Sequence, residues 1–223
     1  MRPDLAAFID HTLLRPDAVR SDFERLCKEA AQHSFATVCV NSAHVALCTA
    51  LLEDCQLPVA ATVGFPLGAA SQASKAAETA QAALDGAHEI DMVCAIGWLK
   101  EGRRAAFEAD IHQVVGAANG RAVKVILETC LLGEDDKRRG AEWSRAAGAA
   151  FVKTSTGFSS GGATEHDVRL LREVVGADFG VKASGGIRDA AAADRMIAAG
   201  ASRLGTSAGV AIVTESVQEQ RGY

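Results

Sequence analysis

Short apolar runs alternate along this chain with longer stretches in which apolar residues recur three or four positions apart. The first pattern belongs to strands covered on both faces, the second to amphipathic helices. In 164–175, Val168, Leu171, Val174 and Val175 fall on one helical face behind Thr164, whose hydroxyl suits an N-cap. A punctuation mark recurs: Gly86-Ala87, Gly148-Ala149, Gly176-Ala177 and Gly200-Ala201 each close a helical pattern and open an apolar run. Glycine there fits the left-handed residue that follows a helix. Strand-like runs fall at about 8–12, 36–41, 59–63, 88–93, 122–127, 150–153, 179–183 and 202–205. Each interval has room for one helix and two short loops, the βα unit, and eight such units predict an α/β chain closed into a single (β/α)₈ TIM barrel. An open doubly wound sheet is the alternative, although no Gly-x-Gly-x-x-Gly follows an early strand to support it. No shift in composition marks a linker, so 1–223 reads as one domain with a short flexible C-terminal tail at about 217–223.

Composition fits a globular protein: of 223 residues, 48% are hydrophobic and 5% aromatic, with 21 Gly and four Pro. Collagen-like, low-complexity and disulfide-scaffold classes are excluded. The net charge of −5 comes from 28 acids and 23 bases spread along the chain, which leaves no basic stripe for nucleic acid. Met1-Arg2-Pro3-Asp4-Leu5 holds no apolar signal core, and no stretch approaches the roughly 18 apolar residues of a membrane span. The expectation is a soluble cytoplasmic protein that binds neither nucleic acid nor membrane. Six cysteines (Cys27, Cys39, Cys48, Cys55, Cys94, Cys130) form no Cys-x-x-Cys pair and no zinc-like cluster with His, and read as buried thiols in a reducing compartment. Cys39, inside a strand run, is the one placed to face a site.

Reacting groups of an α/β barrel come from the C-terminal ends of its strands. Four runs carry charge: Asp91 in Glu89-Ile90-Asp91-Met92-Val93, Lys124 in Val123-Lys124-Val125, Lys153 in Phe151-Val152-Lys153 and Lys182 in Gly180-Val181-Lys182. Asp91 and Lys153 stand five residues beyond their glycine marks and Lys182 six, which sets them at nearly the same height. A lysine among Val and Phe is costly to bury unless paired or neutral. An ion pair with Asp91 or Glu128 is one explanation. Three strand lysines against one strand aspartate leave too few carboxylates for simple pairing, however, and neighbouring ammonium groups disfavour each other's charge. One lysine then holds a neutral fraction near pH 7, and a neutral amine in a carbonyl-binding cavity forms a Schiff base.

A second constellation suits phosphate. Ala183-Ser184-Gly185-Gly186-Ile187-Arg188 follows a strand and precedes a helix at 189–199, so its N–H groups, the helix N-terminus and Arg188 all present positive potential. Gly205-Thr206-Ser207 repeats the arrangement one strand later, and phosphate sites of these barrels use the loops after strands 7 and 8. A tight turn also accounts for the Gly-Gly letters. Thr154 to Gly157 follow Lys153 with hydroxyls and N–H groups suited to a sugar and a phosphate oxygen, while 159–162 reads as a flexible surface loop.

These segments together resemble the deoxyribose-phosphate aldolase family, class I aldolases on a (β/α)₈ barrel. The likeness covers nearly the whole chain, through Ile9-Asp10-His11-Thr12-Leu13, Thr37-Val38-Cys39-Val40-Asn41, Gly64-Phe65-Pro66-Leu67-Gly68, Glu89-Ile90-Asp91-Met92-Val93 and Lys124-Val125-Ile126-Leu127-Glu128-Thr129. It continues through Phe151-Val152-Lys153-Thr154-Ser155-Thr156-Gly157-Phe158, Val181-Lys182-Ala183-Ser184-Gly185-Gly186-Ile187-Arg188 and Gly205-Thr206-Ser207-Ala208-Gly209. Departures are small: Ser42 where proline is usual, Cys94-Ala95 for the commoner Ile-Asn, and a bulky Trp98.

The resemblance implies that Lys153 forms the Schiff base, that Lys182 lowers its pKa and shares in proton transfer, and that Asp91 acts as acid and base through a bound water. It further implies Lys124 as a supporting cation, Asp10 as a hydrogen-bonding partner, and a phosphate site from Gly157, Gly185, Gly186, Arg188, Gly205 and Ser207. Tyr223, the last residue and sole tyrosine, corresponds to a C-terminal tyrosine that folds over the site in the family. The implied reaction is reversible cleavage of 2-deoxy-D-ribose 5-phosphate to D-glyceraldehyde 3-phosphate and acetaldehyde. It calls for no metal or other cofactor, because the iminium does the work of a Lewis acid. The partners implied are phosphosugar and aldehyde substrates, with a homo-oligomer left open. The rival readings are a sugar-phosphate isomerase, against which the paired lysines speak; a class II metal aldolase, against which the scattered His11, His33, His44, His88, His112 and His166 speak, most reading as surface or cap residues; and a phosphosugar sensor that has kept the fold.

Overall fold

The computed structural model describes residues 1–216, and the tail at about 217–223 with Tyr223 lies outside them. Eight parallel strands run in chain order: β1 (Ile9–Leu13), β2 (Thr37–Asn41), β3 (Val59–Val63), β4 (Glu89–Val93), β5 (Ala122–Ile126), β6 (Phe151–Lys153), β7 (Gly180–Ser184) and β8 (Arg203–Thr206). Each pairs with the next, and β8 returns to β1 through Asp10 opposite Gly205, so the barrel closes as predicted and no open sheet forms. Observed strand bounds lie within a residue of the predicted runs.

Around the barrel lie α1 (Arg20–His33), α2 (Val45–Leu51), α3 (Gln72–Leu84), α4 (Ile96–Lys100), α5 (Arg104–Ala117), α6 (Glu134–Ala146), α7 (Glu165–Val175), α8 (Ala190–Ala198) and α9 (Gly209–Thr214). Thr164 caps α7 by accepting from the Asp167 N–H. Gly86, Gly148, Gly176 and Gly200 all hold positive φ, as the punctuation required. A 3-10 turn, Pro3–Phe8, precedes β1 at the N-terminal end of the barrel, with Leu5 and Ala6 buried and the Arg2 N–H bonded 2.7 Å from the Val213 carbonyl of α9.

Alternation along the strands divides the interior into two chemistries. Ile9, Val38, Val40, Val59, Ala61, Val63, Ile90, Met92, Val123, Val125, Val152, Val181, Ala183 and Leu204 join the apolar core between strands and helices. The intervening positions fill the lumen with Asp10, Thr62, Asp91, Lys124, Lys153 and Lys182, all buried. A barrel lumen is ordinarily packed with branched apolar side chains. Here it is charged.

One expectation needs correcting, and the reading of most histidines as surface or cap residues meets one exception. Cys55 and Cys130 are exposed, because they fall in a loop and a surface turn rather than on core faces, while Cys27, Cys39, Cys48 and Cys94 are buried. His11 is neither a surface nor a cap residue: its Nε2 lies 2.8 Å from Glu29 Oε2 and its ring 5.0 Å from that of Phe35, on the outward face of β1.

Candidate active site

Strand register brings the predicted charges together. Asp91 on β4 sits opposite Lys124 on β5, and Lys153 on β6 opposite Lys182 on β7. Asp91 is the hub. Its Oδ1 accepts from Lys124 Nζ at 2.7 Å, and its Oδ2 accepts from Lys153 Nζ at 2.8 Å and from Lys182 Nζ at 2.7 Å. Lys182 also pairs with Asp10. The Cys39 thiol faces the same carboxylate, 3.9 Å from Oδ2, as its strand position suggested.

The expected shortage of carboxylates is smaller than the sequence implied. Glu89, the first residue of β4, accepts from Lys124 at 2.5 Å, and Asp10 is fully buried beside Lys182. Arg203, the first residue of β8, donates to Asp10 at 2.6 Å and to Glu89 at 3.2 Å. Glu89 and Arg203 went unread as site residues because each opens its strand, at the end away from the chemistry; their inward parity in the strand pattern was the available signal. Glu128 pairs with no lysine. It accepts from the Thr156 N–H at 3.2 Å and from the Thr156 hydroxyl at 2.5 Å, and so braces the turn that follows Lys153.

These contacts divide the lysines. Burial drives the Lys153 amine below its ordinary pKa, and the neighbouring Lys182 adds to this against the pull of Asp91. Burial acts on Lys182 in the same direction, but Asp10 and Asp91 outweigh it and hold that amine well above the usual range. Lys124 is likewise raised, Asp91, Asp10 and Glu89 overcoming burial and the repulsion of Lys182. Burial opposes ionisation of Asp10, yet Lys182, Lys124 and Arg203 hold its carboxyl at about 2. Lys124, Lys153 and Lys182 likewise outweigh burial at Asp91 and hold it well below the carboxylate norm. The chemistry available is that of one amine inclined to neutrality beside a fixed ammonium and a fixed carboxylate.

The loops after β6, β7 and β8 are stitched together at the C-terminal end. Thr154 Oγ1 donates to the Ser184 carbonyl at 3.2 Å, the Ser184 hydroxyl donates to the Ser155 carbonyl at 2.6 Å, and Thr206 Oγ1 donates to the Ile187 carbonyl at 2.7 Å. Gly157, Gly185 and Gly186 all take positive φ; a Cβ on Gly185 would lie 2.9 Å from Gly162 Cα and 3.7 Å from Gly157 Cα, so the predicted glycines do converge. Arg188 is exposed beside them, and Ser207 follows β8. Gly205 lies within β8, where a Cβ would come within 3.0 Å of Lys182 Cε, so its bareness makes room for that lysine's stem.

Two loop expectations change. Gly161 and Gly162 are closely packed, against Cys130 and Gly185 respectively, because the loop doubles back over β7; Ser159 and Ser160 alone are exposed. The helix after the Gly-Gly turn starts at Ala190, and Asp189 caps it through the Ala192 N–H at 2.7 Å, so a side-chain carboxylate already occupies part of that N-terminus. Of the departures, Ser42 bonds Glu78 at 2.7 Å, which in turn holds the Gly64 N–H at 2.8 Å, while Trp98 lies 5.3 Å under Arg103. Phe65, after β3, meets Phe158, after β6, edge to face at 5.3 Å, so the loops after these two non-adjacent strands touch.

Among the described residues no helix is long and apolar enough to cross a membrane, and no three His, Cys, Asp or Glu side chains gather as a metal-binding set.

Comparison with known proteins covers nearly the whole chain. A family model described as DeoC/LacD family aldolase matches residues 5–218. The chain is 56% identical over 214 residues to deoxyribose-phosphate aldolase 1 of Bacillus licheniformis, covering 96% of each chain, and 52% identical over 219 residues to deoxyribose-phosphate aldolase of Bdellovibrio bacteriovorus, covering 98% of this chain and 99% of the relative. Among solved structures, the deoxyribose phosphate aldolase of Aeropyrum pernix, described as a unique tetramer, superposes with a TM-score of 0.91 at 33% identity, covering 96% of this chain and 92% of that one.

Proposed function

The chain belongs to the DeoC/LacD aldolase family, and from that premise we propose that it cleaves 2-deoxy-D-ribose 5-phosphate reversibly to D-glyceraldehyde 3-phosphate and acetaldehyde, with Lys153 as the Schiff-base nucleophile. The observation that supports the residue assignment is the Asp91 Oδ2 shared by Lys153 and Lys182, of which only Lys182 has Asp10 as a second carboxylate to keep it charged.

Lys153 Nζ adds as a neutral amine to the open-chain aldehyde carbon and expels water, leaving an iminium. Asp91 takes the proton of the C3 hydroxyl through a water held beside the Lys182 ammonium, so that Lys182 shares in the transfer without itself accepting a proton; the C2–C3 bond breaks, its electron pair passes to C2 and the iminium becomes an enamine. C3 departs as the aldehyde carbon of glyceraldehyde 3-phosphate. The enamine is protonated at C2, and water returns acetaldehyde and the free amine. Lys124 and Asp10 hold Asp91 and Lys182 in place and charged. The phosphate is gripped by Gly157, Gly185, Gly186, Arg188, Gly205 and Ser207, a role supported by the converging loops and the exposed guanidinium. Tyr223 is assigned the proton at C2.

The single barrel domain carries these functions, and no metal or other cofactor takes part in them, so activity is expected to survive a chelator. A homo-oligomer is favoured because the Aeropyrum pernix relative is described as a tetramer. The six free cysteines favour the cytoplasm.

Borohydride reduction with acetaldehyde followed by peptide mapping tests the assignment: an ethyl adduct is expected on the Lys153 peptide. An adduct on Lys182 or Lys124 would reassign the roles, and no adduct with phosphosugar still bound would return the weight to an isomerase or a sensor.

A further inference from the structure

The lumen charges form a closed circuit. Asp91 binds Lys182 at 2.7 Å, Lys182 pairs with Asp10, Asp10 binds Arg203 at 2.6 Å, Arg203 binds Glu89 at 3.2 Å through each of two nitrogens, Glu89 binds Lys124 at 2.5 Å, and Lys124 returns to Asp91 at 2.7 Å. Signs alternate all the way round. The circuit contains Lys124, Lys182 and Arg203 against Asp10, Glu89 and Asp91, so it is neutral. Lys153 is attached to it at Asp91 alone, as an additional cation.

We propose that Arg203 and Glu89 are positioning residues for the Schiff-base amine: they close a neutral ring of alternating charge beneath Lys153, which makes its proton the surplus charge of a buried lumen. This deepens the aldolase reading above and rests on it. A buried cluster with excess charge sheds that charge where the loss costs least. Each ring cation faces at least two carboxylates, whereas Lys153 faces only Asp91, so Lys153 is where the surplus leaves.

Local packing supports a built ring. Arg203 and Glu89 are both 16% exposed in their side chains, while the four charged groups above them are sealed off. Phe151 lies against this lower edge, its ring 5.9 Å from Lys124 Nζ and 5.8 Å from the Arg203 guanidinium carbon, and Gly180 leaves it the room, since a Cβ there would fall 2.1 Å from the ring. The titratable groups facing Lys153 are Asp91 from β4, Lys182 from β7 and the neutral Cys39 thiol from β2; Lys124 from β5, Asp10 from β1, Arg203 from β8 and Glu89 stand behind Asp91 and Lys182.

Changes at the lower edge therefore move Lys153 in opposite directions. Without the Arg203 charge, the lumen is balanced with Lys153 protonated. Without Glu89 it carries two surplus cations. The test traps the acetaldehyde imine with cyanoborohydride across a pH series and reads the yield of ethylated Lys153 by mass spectrometry in the full-length protein. For Arg203→Met the midpoint is expected to rise by about half a pH unit or more, and for Glu89→Gln to fall by a similar amount. The double variant and Arg203→Lys are expected to return close to the wild-type midpoint. Should Arg203→Met fail to fold, Glu89→Gln and Arg203→Lys decide the matter by the same criteria. Midpoints that stay put, or that move in the same direction in the two single variants, overturn the ring proposal while a Lys153 adduct in the wild type leaves the aldolase reading standing. An adduct elsewhere in the wild type overturns both.

Discussion

Two parts of this molecule bury a lysine against an aspartate, and only one gathers further amines round the same carboxylate. Between α3 and α5, Lys75 Nζ meets Asp110 Oδ2 at 2.6 Å with both side chains sealed from solvent. In the lumen, Lys153 meets Asp91 at 2.8 Å, equally sealed. The pair between helices is one cation with one carboxylate, and burial raises the Asp110 carboxyl against the pull of Lys75. Its carboxylate answers to a single amine. Asp91 answers to three, and the amine with fewest other partners is the one lowered. Burial is common to both lysines; what sets Lys153 apart is that other amines crowd the carboxylate it meets.

The largest test of that contrast is catalytic. Lys153→Ala is expected to lower kcat/KM at least about 10⁴-fold while the phosphosugar still binds, whereas Lys75→Met keeps kcat/KM of the folded fraction within about twofold; steady-state kinetics beside calorimetry separate the two. Stability gives the reverse ranking. Lys75→Ala strands Asp110 and is expected to cost about 3–5 kcal/mol in denaturant unfolding, and the paired change Lys75→Met with Asp110→Leu to recover that loss.

Acid sharpens the comparison next. Asp10 and Asp91 have folded pKa values below their unfolded ones, so both stabilise the fold above about pH 4; the Asp10 share disappears as pH falls towards about 2, and the Asp91 share as pH falls through its own depressed value. The share of Asp10 is about 2 kcal/mol, and Asp10→Asn is expected to flatten the unfolding free energy over that interval. Asp110, being raised, contributes with the opposite slope. The smallest effect is a control outside both clusters: Asp189→Ala removes the α8 cap and is expected to cost about 1 kcal/mol, with the Lys153 adduct still formed.

Much of this was legible in the sequence. The glycine marks placed strands to within a residue because a left-handed residue after a helix is demanded by backbone sterics, which act locally. Asp91, Lys124, Lys153 and Lys182 stood out because charge inside an apolar strand is costly wherever the strand lies. Arg203 and Glu89 did not stand out, since a charge at the first residue of a strand reads equally well as solvated, and only closure of β8 on β1 brings Arg203 to Asp10. Of the two lysine partners the sequence left open, Asp91 is the one used, while the Glu128 carboxylate is spent on the turn at Thr156, a contact between loops that strand periodicity does not encode. Lys75 and Asp110 went unnoticed for the same reason: they lie 35 residues apart on separate helices.

The closed circuit in the lumen also bears on how such a chain can diverge or be redesigned. Neutralising Asp10 or Glu89 adds a second surplus cation to the lumen, so the moves that keep its balance pair the loss of a carboxylate with the loss of a cation.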